Sequence, residues 1–223
     1  MIETTRNDDV FVLRMVAEEN RFNPTMLAAF TEALDQVEAS DGPAAVVLTG
    51  EGKFFSNGLD LDWMMANAGE GGPSLVVNGL QALYSRLLTF PTPTIAAVNG
   101  HAFAGGGMLA LACDQRVMRD DRGFFCLPEV DINIPFTKGM SLLVQARLTP
   151  SVARDVMMTG RRYTAEESLA AGIVDATASE DQVVSQAIER AQALAGKDRG
   201  TLGTIKRTMF AEVTEALAEQ VSF

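Results

Sequence analysis

An α/β fold with a helical C-terminal part is the architecture this sequence predicts, and three observations carry that prediction. Up to about Gly139, short β-rich runs alternate with amphipathic helical stretches, the pattern of a layered α/β core. From Thr137 onward the pattern is almost wholly helical. The 223 residues, 47% hydrophobic and 21% charged, suit one globular domain with a sizeable core and not a disordered chain. The expected division is therefore an α/β core over 1–139 and a helical region over 140–223 within the same domain.

In order along the chain, VFVLRMV (10–16), AAVVLTG (44–50), TIAAVNG (94–100) and QRVMR (115–119) read as strands. They are apolar or β-branched and end at turn or charged residues. The stretch Pro24 to Ala39 reads as a helix because Asn23 can cap it and Pro24 suits its first position. Ser74 to Thr89 reads as another, stopped by Phe90-Pro91-Thr92-Pro93. Beyond Thr137, TKGMSLLVQARL is helical until Pro150, and SVARDVMMTG ends at Gly160. Thr164 and Glu167 form a capping-box start for a third helix. A long helix from about Ser179 to Ala195 and a last one after Gly200 complete the reading.

Composition excludes several functions. With 18 basic against 29 acidic side chains, net charge −11, the chain is a poor partner for nucleic acid, whose affinity comes from Lys and Arg on phosphates. No apolar run reaches the roughly 18 residues of a membrane helix. The opening MIETTRNDDVFV lacks the basic start and apolar core of a signal peptide, so a cytoplasmic protein is expected. Cys113, Cys126 and the single His101 cannot build a four-ligand zinc site and suggest no disulfide framework, so no metal is expected.

Three segments depart from plain alternation, all at ends of expected strands. In GKFFSNGLDLDWM (52–64), Gly58 permits a tight turn that leaves the following N–H groups facing a cleft; a simple Asn-Gly turn is the other reading. In PTIAAVNGHAFAGGGMLALACD (93–114), three glycines lead straight into an apolar helix. Each costs roughly 1 kcal/mol relative to Ala inside a helix. Free N–H donors at the helix start would justify that cost, and so would close packing of helix on sheet. Neither a GxGxxG fingerprint nor a Walker A loop is present. In GFFCLPEVDINIPF (123–136), Glu129 lies among apolar residues with Asp131 two positions on, which an extended chain would place on one face. Desolvation there would raise a Glu toward a general-base pKa, whereas a cap or salt bridge is the structural alternative.

Together these segments resemble the crotonase (enoyl-CoA hydratase/isomerase) superfamily, and ARDVMMTGRRYTAEESLAAGIVD extends the likeness over nearly the whole chain. FFSNG-x-DL, the MRDDRGF run and the Glu-hydrophobic-Asp-Ile motif are most similar to plant-type peroxisomal Δ3-Δ2-enoyl-CoA isomerases. The resemblance implies a crotonase-like ββα spiral core, acyl-CoA thioester substrates, a role in fatty-acid β-oxidation, and no cofactor beyond the coenzyme A of the substrate. It implies an oxyanion hole from the N–H groups of Leu59 and Gly105, with Glu129 as acid/base. Ser56, Asn57, Gly58 and Asp60 would line the thioester and pantetheine path, Phe22 and Asn23 the adenine end, and Trp63, Met64 and Phe136 the acyl pocket. Arg21, Lys53, Lys206 and Arg207 are the candidate phosphate ligands, and a homotrimer or hexamer is implied by analogy.

One departure sorts the chemistry. Hydratases of the superfamily carry two glutamates; here Met108 stands at the first position and Glu129 at the second. Hydration asks for one group to activate water and another to deliver a proton, whereas isomerisation needs one base. The pattern favours isomerase. Hydration, other enolate chemistry with Asp131 or Asp60 as second acid, and a noncatalytic acyl-CoA binder are the alternatives. NAGEGGPS (67–74) is expected as a mobile loop that governs acyl chain length.

Overall fold

The computed structural model describes residues 1–223. Strands β1 (Ile2–Asn7) and β2 (Val10–Met15) pair antiparallel around a turn in which Asp8 takes a positive φ. Parallel strands β3 (Ala45–Gly50), β5 (Thr94–Val98), β7 (Gln115–Arg119) and β9 (Ala176–Ala178) extend the sheet in the order β1-β2-β3-β5-β7-β9. All six residues of β3 and all five of β5 are buried, which is why these strands read as continuous apolar runs and not as alternation.

Period-two geometry divides those strands between two cores. Val46, Leu48, Ala96 and Val98 face the main core, shared with α1 (Pro24–Glu38) and α3 (Gly72–Leu88). Ala45, Val47, Ile95 and Ala97 face α8 (Val183–Leu194), whose Ala187 and Ala191 allow close approach. Asn23 caps α1 as expected, accepting the Met26 N–H at 3.0 Å.

A smaller parallel sheet joins β4 (Phe54–Ser56), β6 (His101–Phe103) and β8 (Phe125–Cys126). Each follows a strand of the large sheet, and helices follow in turn: α2 (Leu61–Ala66) and α3 after β4, α4 (Gly105–Ala112) after β6, α5 (Lys138–Arg147) after β8. Three strand-strand-helix turns thus wind into a spiral. These short strands, with β1 and β9, escaped the sequence reading. Two or three residues carry no measurable period, and β1, IETTRN, joins an edge through backbone pairing with almost no buried side chain.

The C-terminal helices are α5, α6 (Pro150–Thr159), α7 (Ala165–Ala170), α8, α9 (Arg199–Met209) and α10 (Ala211–Leu217). Gly160 closes α6 at φ 61°, and Thr164 and Glu167 form the expected capping box. Because β9 pairs with β7 and α8 covers the large sheet, 140–223 shares its core with the spiral. The 67–74 stretch is a short 3₁₀ turn over Ala68–Glu70 that runs directly into α3, not an extended loop. No helix is long and apolar enough to cross a membrane.

Candidate active site

A cleft open to solvent lies between α3, the start of α4, α5 and the turn after β8. Eleven of its 16 lining residues are hydrophobic, and Glu129 is the one ionisable side chain among them.

Glu129 is 6% exposed, and its Oε2 is buried without a hydrogen-bond partner. Burial pushes its pKa up to about 7, opposed only by a hydrogen bond from its own backbone. A carboxyl poised there exchanges a proton readily near neutral pH. The extended geometry expected for this segment is not what forms. Pro128 O accepts from the N–H groups of Asp131 (2.9 Å) and Ile132 (3.1 Å), and Glu129 O from Ile134 (3.0 Å), so the chain folds into a turn. Asp131 is therefore swung away from Glu129; it is exposed, with its carboxylate against Gly160. Asp60 is equally remote from the role of second acid, because its carboxylate caps α2 by accepting the Trp63 N–H at 3.1 Å. Met108, 2% exposed, lines the cleft with an apolar side chain that can neither take nor give a proton.

Two backbone donors border the same cleft. Leu59 forms a parallel bridge with Phe22, in which Phe22 N–H donates to Gly58 O (2.7 Å) and Asp60 N–H to Phe22 O (2.9 Å). Those bonds flank Leu59 and leave its own N–H without an acceptor in the chain. Gly105 opens α4, where first-turn N–H groups have no intrahelical partner, and its N–H is likewise unpaired. Gly58 takes φ +83°, and a β-carbon there would stand 3.1 Å from the Gly105 nitrogen, so the two loops meet. Ala104, just before Gly105, is held at φ 48° and ψ −122°. For a residue with a β-carbon this region costs of order 1–3 kcal/mol, a strain typical of functional sites. The fully buried Tyr84 of α3 donates from its hydroxyl to Gly105 O at 2.7 Å. Burial, with the nearby Glu129 charge, holds that phenol well above its usual pKa.

Both readings of the glycine triplet are realised, by different glycines. Gly105 lines the cleft and its N–H is unpaired, whereas a β-carbon at Gly106 would stand 2.7 Å from Ser56 Cβ and one at Gly107 3.0 Å from Leu127 Cδ2. The latter two let α4 lie against the small sheet.

Other expected site residues divide by burial. Leu59, Asn57 and Phe136 line the cleft, whereas Trp63 and Met64 are half-buried on α2 and do not. Phe22 is fully buried against Phe30, so its side chain reaches no ligand; its backbone holds the Leu59 loop. Ser56 is fully buried too, donating to Asn20 O at 2.7 Å and accepting from Gly58 N–H at 3.2 Å. Asn23 donates to Asp60 Oδ2 at 3.0 Å, tying α1 to α2. Lys206 is no surface cation: it is 4% exposed and donates to Thr92 O (3.0 Å) and Asp114 Oδ2 (2.6 Å). Arg21 pairs with Glu19 at 2.7 Å and Asp62 at 3.0 Å, and Lys53 lies over the Phe54 ring; Arg207 is exposed on α9. Residues that sequence reasoning missed are Val77, Leu80 and Tyr84 of α3, together with Ile132, Met140 and Phe223. The helical spacing of the α3 set was visible, but it marks a buried face without saying against what.

Comparison with known proteins agrees with this geometry. The family model described as enoyl-CoA hydratase/isomerase matches residues 5–223. Enoyl-CoA delta isomerase 3 of Arabidopsis thaliana is 36% identical over 96% of this chain and 93% of its own length. A putative enoyl-CoA hydratase of Thermus thermophilus is 40% identical over 79% of this chain and 68% of its own. The crystal structure of the enoyl-CoA hydratase EchA3 from Mycobacterium ulcerans superposes with a TM-score of 0.88 at 29% identity, covering 97% of this chain and 94% of that one. A spiral of strand-strand-helix turns, two unpaired amides at an apolar cleft and a buried glutamate thus accompany a full-length match, and the chain belongs to the enoyl-CoA hydratase/isomerase family of the crotonase superfamily.

Proposed function

We propose that this enzyme is a Δ3-Δ2-enoyl-CoA isomerase. The observation that carries the reading is that Glu129 is the sole ionisable side chain lining an apolar cleft bordered by two unpaired main-chain donors. The thioester oxygen sits on the Leu59 and Gly105 N–H groups, which lowers the energy of the enolate. Glu129 in its carboxylate form takes a proton from C2 of a 3-enoyl-CoA, giving a dienolate whose charge rests on that oxygen. The same carboxyl then returns the proton at C4, the double bond moves to C2–C3, and the carboxylate is regenerated. No water enters the balance. Hydration would need a second acid/base, and Met108 offers none.

Support comes from the relatives named enoyl-CoA delta isomerase, while others named hydratase make the contrast worth measuring. The test is a spectroscopic assay with 3-enoyl- and 2-enoyl-CoAs. Isomerisation is expected to exceed hydration of crotonyl-CoA by a wide margin, and Glu129→Gln is expected to lose about 10²–10⁴ in kcat while still binding acyl-CoA. Wild-type turnover by Glu129→Gln would remove the assignment, and hydration as fast as isomerisation would replace the reading with hydratase.

A further inference from the structure

The cleft's outer rim is apolar and partly open: Leu61, Ile132 and Phe223 line it and are 39%, 44% and 72% exposed. Phe223 comes from a strap after α10 that is latched onto α3. Asn78 makes two hydrogen bonds to the Val221 backbone, accepting its N–H at 2.9 Å and donating to its carbonyl at 3.1 Å. Ser74 Oγ accepts the Phe223 N–H at 3.0 Å. Polar side chains of α3 thus fix an aromatic ring at a mouth that otherwise opens to water, an arrangement that costs solvation unless an apolar group covers it.

We propose that the latched strap and Phe223, with Leu61 and Ile132, form the distal part of the acyl site, so that the enzyme takes acyl tails long enough to reach this rim. The inference rests on the acyl-CoA reading above and places control of tail length on the strap, not on the 67–74 turn, which supplies only Ser74 as a latch. The α-carbon chemistry at Glu129 is left untouched by the rim. A short tail ends inside the cleft and is indifferent to it, whereas a long tail gains apolar contact there.

The experiment compares 3-hexenoyl-CoA with 3-dodecenoyl-CoA, and the binding of hexanoyl-CoA with that of dodecanoyl-CoA by calorimetry. Phe223→Ser is expected to lower kcat/KM for the dodecenoyl substrate about tenfold through KM, a loss several-fold larger than the one it causes for the hexenoyl substrate. Asn78→Ala, which frees the strap without altering a cleft-lining side chain, is expected to move the same substrate in the same direction. Equal effects on both tails, or none on either, would overturn the inference while leaving the isomerase reading in place. Tail-dependent binding sensitive to Phe223→Ser, without turnover of any enoyl-CoA, would uphold the rim and sink the isomerase reading.

Discussion

A carboxyl in the interior faces a choice between ionising at a solvation cost and staying neutral, and Glu129 is balanced between the two. Burial raises its pKa to about 7 against a backbone hydrogen bond that lowers it, with no neighbouring acid to repel it and no cation to hold it ionised. Only the carboxylate can remove a proton, so kcat/KM is expected to fall tenfold per pH unit below about 7, measured with a 3-enoyl-CoA. The sign for stability is the reverse. The folded state binds the proton more tightly than the unfolded chain, so stability is full below the ordinary Glu pKa and declines as pH rises through about 7. At pH 8, Glu129→Gln is expected to be more stable than wild type by roughly 3 kcal/mol, and near pH 4 the two are expected to converge; urea denaturation at both pH values checks this. Tyr84 works at the same scale. Its hydroxyl fixes Gly105 at 2.7 Å, and Tyr84→Phe is expected to lower kcat about tenfold with KM nearly constant. An unchanged kcat would leave the hydroxyl with a packing role only.

At the scale of elements, the site depends on how closely α4 approaches the small sheet. Gly106 lies against Ser56, which in turn holds the Gly58 turn by accepting its N–H. A side chain at Gly106 must push backbone against backbone, separating the Leu59 and Gly105 donors. Gly106→Ala is accordingly expected to cost about 2 kcal/mol of stability and at least tenfold in kcat/KM, read by thermal unfolding and the isomerase assay. The sequence announced this element through its glycines but not which of them served packing. That distinction needs the position of Ser56, a residue about fifty places earlier in the chain. In the same way, Glu129 stood out as an acid among apolar residues, while the turn that separates it from Asp131 did not. Local pattern shows composition and period, and a short hydrogen-bonded turn leaves little trace in either.

Over the whole molecule, a strongly acidic chain folds one spiral around a main core and lays its C-terminal helices back over it. Lys206 anchors α9 by its buried contacts to Thr92 and Asp114, tying the C-terminal helices to the segments that flank β5 and α4. Removing it leaves Asp114 without its cation, and Lys206→Ala is expected to cost about 3 kcal/mol without changing KM for a short acyl-CoA. Denaturant unfolding with parallel kinetics checks both halves. The same residue shows the limit of reading charge from sequence: a lysine near the C-terminus looks like a surface cation, and only packing reveals that it is spent within the core.

By itself the sequence determined the α/β class, the caps at Asn23 and Thr164, the family likeness and the suspicion that fell on Glu129, Leu59 and Gly105. The class, the caps and the odd placement of Glu129 are properties of short segments, set by local sterics, spacing and residue chemistry, whereas Leu59 and Gly105 were singled out by the family likeness. Tertiary structure alone decided that Glu129 stands apart from every other acid, that Phe22 and Ser56 are buried supports, that Lys206 is an internal anchor, and that Phe223 returns to the cleft. Each of those depends on residues far apart in the chain being brought into contact. Burial and the loss of solvation that accompanies it come into being only when the chain closes on itself.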